Sequence, residues 1–164
     1  MSDMTGHRQM VLNGLQGRGA HVSVNHIFED LDWRLAGRCP EGSPYTIWQL
    51  LNHLIYWQDY TLRLLAGEAP AVPEHAADSW QGDTVPASET SWNTAVESFL
   101  AGLRMAEEAA KSNDLESATP ARPEQSRAET LGMLIGHNSY HLGQVVLLRR
   151  MLGSWPPPSG GDTW

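Results

Sequence analysis

The sequence predicts an all-α protein, a four-helix bundle, on three observations. Apolar residues recur at steps of three and four along three long segments, the signature of helices with one buried face. No segment of useful length alternates with the period of two that a half-buried strand requires. Two stretches, "TIWQ" at Thr46–Gln49 and "SRAE" at Ser126–Glu129, match the capping box, in which a hydroxyl and a Gln or Glu side chain satisfy orphan N–H groups at a helix start.

The first helical region covers about residues 7–36. It carries Met10, Val11, Leu15, Val22, Phe28, Leu31 and Leu35, and Gly17 and Gly19 are expected to break or kink it. The second helix opens at Thr46, runs through Leu50, Leu51, Leu54, Leu62 and Leu65, and stops near Gly67. Residues 67–90 then hold three prolines and no periodicity. Such a connection is longer than a compact domain usually tolerates, and it can run back along a helix of about 30 Å. Helices two and three are therefore expected to be parallel, joined by a long overhand crossover. The third helix bears Trp92, Val96, Phe99, Leu103, Ala106 and Ala110 as a core stripe without chemistry. The fourth runs from Ser126 to Gly153, where "SWPPP" ends it, so the expected organisation is one domain over 1–153 and a Pro/Gly-rich tail over 154–164.

Composition removes several function classes. The chain has 164 residues, a net charge of −8 and eleven Lys plus Arg spread thinly, which argues against a nucleic-acid partner. No run of 18 apolar residues exists and the N-terminus lacks an apolar export segment, so neither a membrane span nor a targeting peptide is expected and the location is read as cytoplasmic. Cys39 is the single cysteine. A metal would have to rely on His, Asp or Glu.

His137 and His141, four apart in "GHNSYHLGQ", are weak evidence by spacing alone in a chain of seven histidines. Direction carries more. At 100° per residue, the apolar arc of Leu131, Leu134, Leu142, Val145, Leu148 and Leu152 includes His141 and has His137 at its edge. Buried neutral imidazoles must be hydrogen-bonded, partly solvated or bound to a metal. His53, in "LLNHLIYW", borders the apolar arc of helix two beside Trp57 and Tyr60, so two helices can converge three imidazoles on one point. Three His ligands leave open positions, the catalytic rather than the structural pattern. A di-iron site lacks its inward carboxylates, and a zincin would have Glu where this chain has Asn138.

"GRGAHVSVNHIFEDL", "YTIWQLLNHLIYWQDY" and "GHNSYHLGQVVLLRRMLGSWPPP" together resemble the DinB-like superfamily of bacterial four-helix bundles over nearly the whole chain. The resemblance implies an up-down-down-up bundle, a homodimer, and one divalent metal ion, zinc or nickel, on His53, His137 and His141. It also implies a small-molecule substrate. Characterised relatives include thiol-dependent transferases and isomerases that use low-molecular-weight thiols, so thiol transfer or hydrolysis is expected, with a non-catalytic metal- or ligand-binding stress-response module as the alternative. Trp57, Tyr60, Tyr140 and Gln144 are candidates to shape the pocket or orient the ligands. His21 reads as structural or cavity-lining, and His7, His26 and His75 as solvent-facing. On the far side of helix four, Gly132, Gly136, Ser139 and Gly143 form a small-residue stripe, suited either to a dimer contact or to close packing against helix one.

Overall fold

The fold was obtained as a computed structural model, which describes residues 3–80, 82–112 and 114–161, the first three by their backbone alone. In chain order the elements are α1 (Asp3–Gln16), a 3-10 turn (Val24–His26), α2 (Trp33–Ala36), α3 (Ile47–Leu65), a second 3-10 turn (Ala76–Ser79), α4 (Glu89–Lys111), β1 (Ala118–Thr119), β2 (Arg122–Ser126) and α5 (Arg127–Met151).

Local chemistry sets the helix limits. Gly17 and Gly19, both at φ 76°, end α1 and split the first helical region, as a left-handed backbone suits glycine. Both expected capping boxes form, Thr46 with Gln49 on α3 and Ser126 with Glu129 on α5. A third, Ser88 with Ser91, starts α4. The antiparallel pair β1–β2 departs from the purely helical expectation. Two and five residues are too few to show a period, so this hairpin between α4 and α5 left no signal in the pattern.

One core unites the long helices. Leu51 and Leu54 from α3, Phe99 and Leu103 from α4, and Leu131 and Val145 from α5 are fully buried within it. α3 packs against α4 and α5, and α1 packs against the same two helices. Between α3 and α4, buried Gln58 donates through Nε2 to the Phe99 carbonyl at 2.8 Å. Gly102 makes room for it, since a Cβ there would sit 2.2 Å from the same Nε2. Gly102→Ala is therefore expected to cost about 1–3 kcal/mol in urea denaturation, despite alanine's better helix propensity.

The connection from α3 to α4 touches α3 at two levels. The Ser79 carbonyl meets His53 midway along the helix, and the Thr84 carbonyl accepts from the Thr46 hydroxyl at its start. At the other end of α3, Arg127 Nη1 from the start of α5 donates to the Leu65 carbonyl. α1 approaches α5 at Gly14, where a Cβ would lie 2.9 Å from Ile135. The three glycines of the small-residue stripe do not serve that contact, because a Cβ on Gly132, Gly136 or Gly143 would meet nothing within 4 Å, whereas Ser139 bonds to His21 of the first helical region at 3.1 Å.

Beyond α5, the chain folds back on Arg149. Its side chain, 1% exposed, donates to the Ile27 carbonyl (2.7 Å) and through Nε and Nη2 to the Ser154 carbonyl (3.0 and 2.7 Å). Trp155 packs on the core beside this guanidinium. No helix among the described residues is long and apolar enough to cross a membrane.

Candidate metal centre

The periodicity of α3 and α5 brings three imidazoles to one place. His53 and His141 are buried and His137 is half-buried. One ring nitrogen from each lies within 4.8 Å of the other two, so the group could hold a metal ion. His137 Nε2 and His53 Nε2 are 3.2 Å apart. Nitrogens bound at about 2.0–2.1 Å on a tetrahedral ion stand about 3.3 Å from one another, so this spacing fits a shared ion.

Hydrogen bonds behind the rings assign the protons. The Ser79 carbonyl can only accept, so His53 donates to it through Nδ1 at 3.2 Å. His141 donates through Nδ1 to Gln144 Oε1 at 2.8 Å. With those protons placed, each ring turns an unprotonated Nε2 inward, the tautomer a metal needs. His137 differs. Its Nε2 proton goes to His53, which leaves its own Nδ1 buried without a partner, next to the equally unpartnered Oδ1 of Asn138. A proton on Nδ1 would relieve that orphan and release Nε2 as a third ligand. The residues present fit a metal.

Charge agrees with tautomer. Burial, with His141 and His53 nearby, pushes His137 down to about 4, against a small opposing effect of the Asn138 side chain. Burial also lowers His53 and His141, opposed by their bonds to Ser79 and Gln144. All three rings are thus neutral at pH 7, ready to bind a cation. A ring whose pKa falls on folding takes up protons more readily in the unfolded chain. The metal-free fold should keep its full stability above pH 6.5 and lose some as the pH falls through the window down to about 4. Lowering a pKa by one on folding corresponds to about 1.4 kcal/mol, and partial solvation of the ring reduces it. Urea denaturation at pH 7 and pH 4.5 should therefore differ by about 1–2 kcal/mol from this source.

The sequence pattern of the DinB superfamily matches residues 19–145, which include all three histidines. The chain belongs to the DinB superfamily. No curated protein and no solved structure matches it.

Around this DinB-superfamily centre, the long connection supplies what helical periodicity could not reveal. Trp80 stacks on His53 with ring centroids 3.9 Å apart and planes 8° from parallel, and Tyr45 stacks on Trp80 at 3.7 Å and 7°. This three-ring stack and the Ser79 carbonyl fix the His53 plane. Tyr45, just before α3, was not among the residues expected at the site, and neither were Ser79 and Trp80, because residues 67–90 were expected to serve as a crossover only. Their one signal was a tryptophan inside an unusually long connection. Trp80→Ala should remove the stack while leaving all three ligands, lowering metal affinity by about tenfold to a hundredfold in a competition titration.

The other candidates divide. Gln144 orients His141 directly, and Trp57 stands edge-on to His53 and His137 at 6.5 and 6.2 Å. Tyr60 is one ring further out, against Trp57, and its hydroxyl accepts from Arg122. Tyr140 is 66% exposed and touches the centre through the edge of His141. His21 bridges the Val22 carbonyl and the Ser139 hydroxyl, a structural role. His75 is exposed, but His7 and His26 are half-buried rather than solvent-facing, His7 pairing with Glu116 at 2.7 Å. Arg122, which no sequence motif marked, sits beside the site on β2.

Proposed function

We propose that this DinB-superfamily protein binds one divalent metal ion, zinc or nickel, through His53, His137 and His141, and acts on a small molecule by thiol transfer with a low-molecular-weight thiol or by hydrolysis. The observation that carries the reading is the convergence of three neutral imidazoles, two with their protons held on the outward nitrogen. Lewis acidity at this point would lower the pKa of a thiol or water to the neutral range. The chain's own contribution is orientation by Ser79, Gln144 and the Trp80 stack, with Trp57 packed edge-on against His53 and His137. The test incubates metal-loaded protein with several low-molecular-weight thiols and an electrophile, beside His53→Ala. Turnover that survives the substitution rules out metal catalysis.

One observation favours the second reading, a non-catalytic metal- or ligand-binding stress-response module. Among the described residues no carboxylate bonds to any of the three imidazoles, so no general base is in place beside them. Asp59 pairs with Arg63, and Glu107 accepts from Gln16. Stoichiometric metal without turnover of any thiol tested is the result that reading expects.

The same proposal includes the architecture and assembly. An up-down-down-up bundle accounts for the α3–α4 connection retracing α3 from Ser79 to Thr84, and for the start of α5 meeting the end of α3. A homodimer would use the outer face of α5, where Met133, Gly136, Tyr140, Gly143 and Leu147 recur at steps of three and four and are exposed. Gly136→Leu should then halve the mass seen by light scattering, and an unchanged mass in a folded variant excludes this seam. The proposal includes a cytoplasmic location, as read from the sequence.

A further inference from the structure

Beside the metal centre lies a cavity of about 330 Å³, within the range of roughly 300–1,000 Å³ that small-molecule sites occupy. Its walls are largely apolar, built by Trp57, Leu64, Val72 and Leu134. Beside the neutral polar groups of Tyr60, Thr61, Gln125 and Thr130, the lining holds an imidazole, His137 from the metal centre, and at a separate place a guanidinium, Arg122 from β2. The half-buried Arg122 donates through Nη2 to the Tyr60 hydroxyl at 2.7 Å and lies 5.7 Å from the Tyr60 ring centre.

Arg122 stands apart from the arginines whose charges are matched. Arg34, Arg63, Arg104 and Arg127 each pair with a carboxylate, and buried Arg149 is bonded to two carbonyls. No carboxylate among the described residues forms an ion pair with Arg122, although the chain carries nineteen Asp plus Glu against eleven Lys plus Arg. A guanidinium held by a neutral phenol at the rim of an apolar cavity has most of its donor fork still to fill. That fork is planar and matches the two oxygens of a carboxylate.

We propose that the cavity binds a small carboxylate-bearing molecule, its carboxylate on Arg122, its apolar body along Trp57 and Leu64, and its reacting end toward His137. The assignment deepens the proposed function, resting on the three-histidine centre for the reacting end alone. Arg122 is then the residue that sets specificity, and Tyr60 positions it.

The test uses metal-free protein, so that a carboxylate cannot bind through the metal. Calorimetry compares 3-phenylpropanoate, 3-phenylpropanamide and benzyl phosphate on the native chain and on Arg122→Gln, Arg122→Lys and Tyr60→Phe, each checked for folding by circular dichroism. The native chain should prefer the acid over the amide by at least about tenfold. Arg122→Gln should abolish the preference while leaving the amide's affinity unchanged, and Arg122→Lys should retain part of it. Equal binding of acid and amide, or a preference that survives Arg122→Gln, overturns the proposal. Tighter binding of benzyl phosphate overturns its carboxylate assignment. A parallel metal titration separates the two readings, since a chain that prefers the acid but binds no metal refutes the proposed function and leaves the anion site standing.

Discussion

His137→Leu is expected to abolish stoichiometric metal binding while changing the stability of the metal-free fold by less than about 1 kcal/mol. In the absence of metal, the His137 Nδ1 is a buried acceptor without a partner and the ring is pushed down to about 4 by burial and by its two neighbours. Replacing it with an apolar side chain of similar size removes a buried unsatisfied group, a gain of about 1–2 kcal/mol, but also removes the donor to His53 Nε2 and leaves that buried nitrogen unpaired at a similar cost. Removing one of three protein ligands costs about 4 kcal/mol of binding, or about a thousandfold in affinity. Elemental analysis and urea denaturation of the same preparation check both halves. A variant that still carries one metal per chain excludes His137 as a ligand, and a stability change beyond about 1 kcal/mol shows that the two orphaned nitrogens do not offset each other.

Arg149→Leu is expected to lower stability by about 3 kcal/mol, with a fall in Tm of about 6–12 °C. The side chain closes two backbone carbonyls that nothing else reaches among the contacts described, Ile27 on the turn after α1 and Ser154 beyond α5. Leucine keeps much of the volume but leaves both carbonyls unpaired in a desolvated place. Burial lowers the Arg149 pKa, partly offset by Asp30 and Glu29, yet a guanidinium stays charged throughout the usable pH range. The loss should therefore be independent of pH between about 5 and 9. Arg149→Lys should fall between the two, because an ammonium supplies donors without the planar fork that spans both sites. A change below about 1 kcal/mol for Arg149→Leu would show that the tail, not the arginine, carries these contacts.

These two residues also show where the chain could be read directly. His137 and His141 are one helical turn apart on a segment whose apolar arc fixes direction, so their inward aim followed from spacing and period. His53 followed in the same way from α3. Arg149 lies on α5 as well, but a guanidinium on the core side of a helix has no rule that says which carbonyls it will find. The stripe of Gly132, Gly136, Ser139 and Gly143 was visible as a pattern with two meanings, and only the structure divided it, with open space around the three glycines and Ser139 bonded to His21.

Helix starts, helix ends and buried faces were legible because each depends on residues within about four positions, through capping hydroxyls, left-handed glycines and the 3.6-residue period. Contacts made by aperiodic chain were not. The Ser79 carbonyl and the Trp80 ring reach His53 across 26 and 27 positions, from a connection that has no period to betray which way its side chains face. Arg122 meets Tyr60 across 62 positions, from a hairpin too short to announce itself. Folding alone could set the 3.2 Å between two imidazole nitrogens, the proton that each ring keeps and the cation left unpaired at the cavity, because these depend on distances between elements that local sequence does not encode.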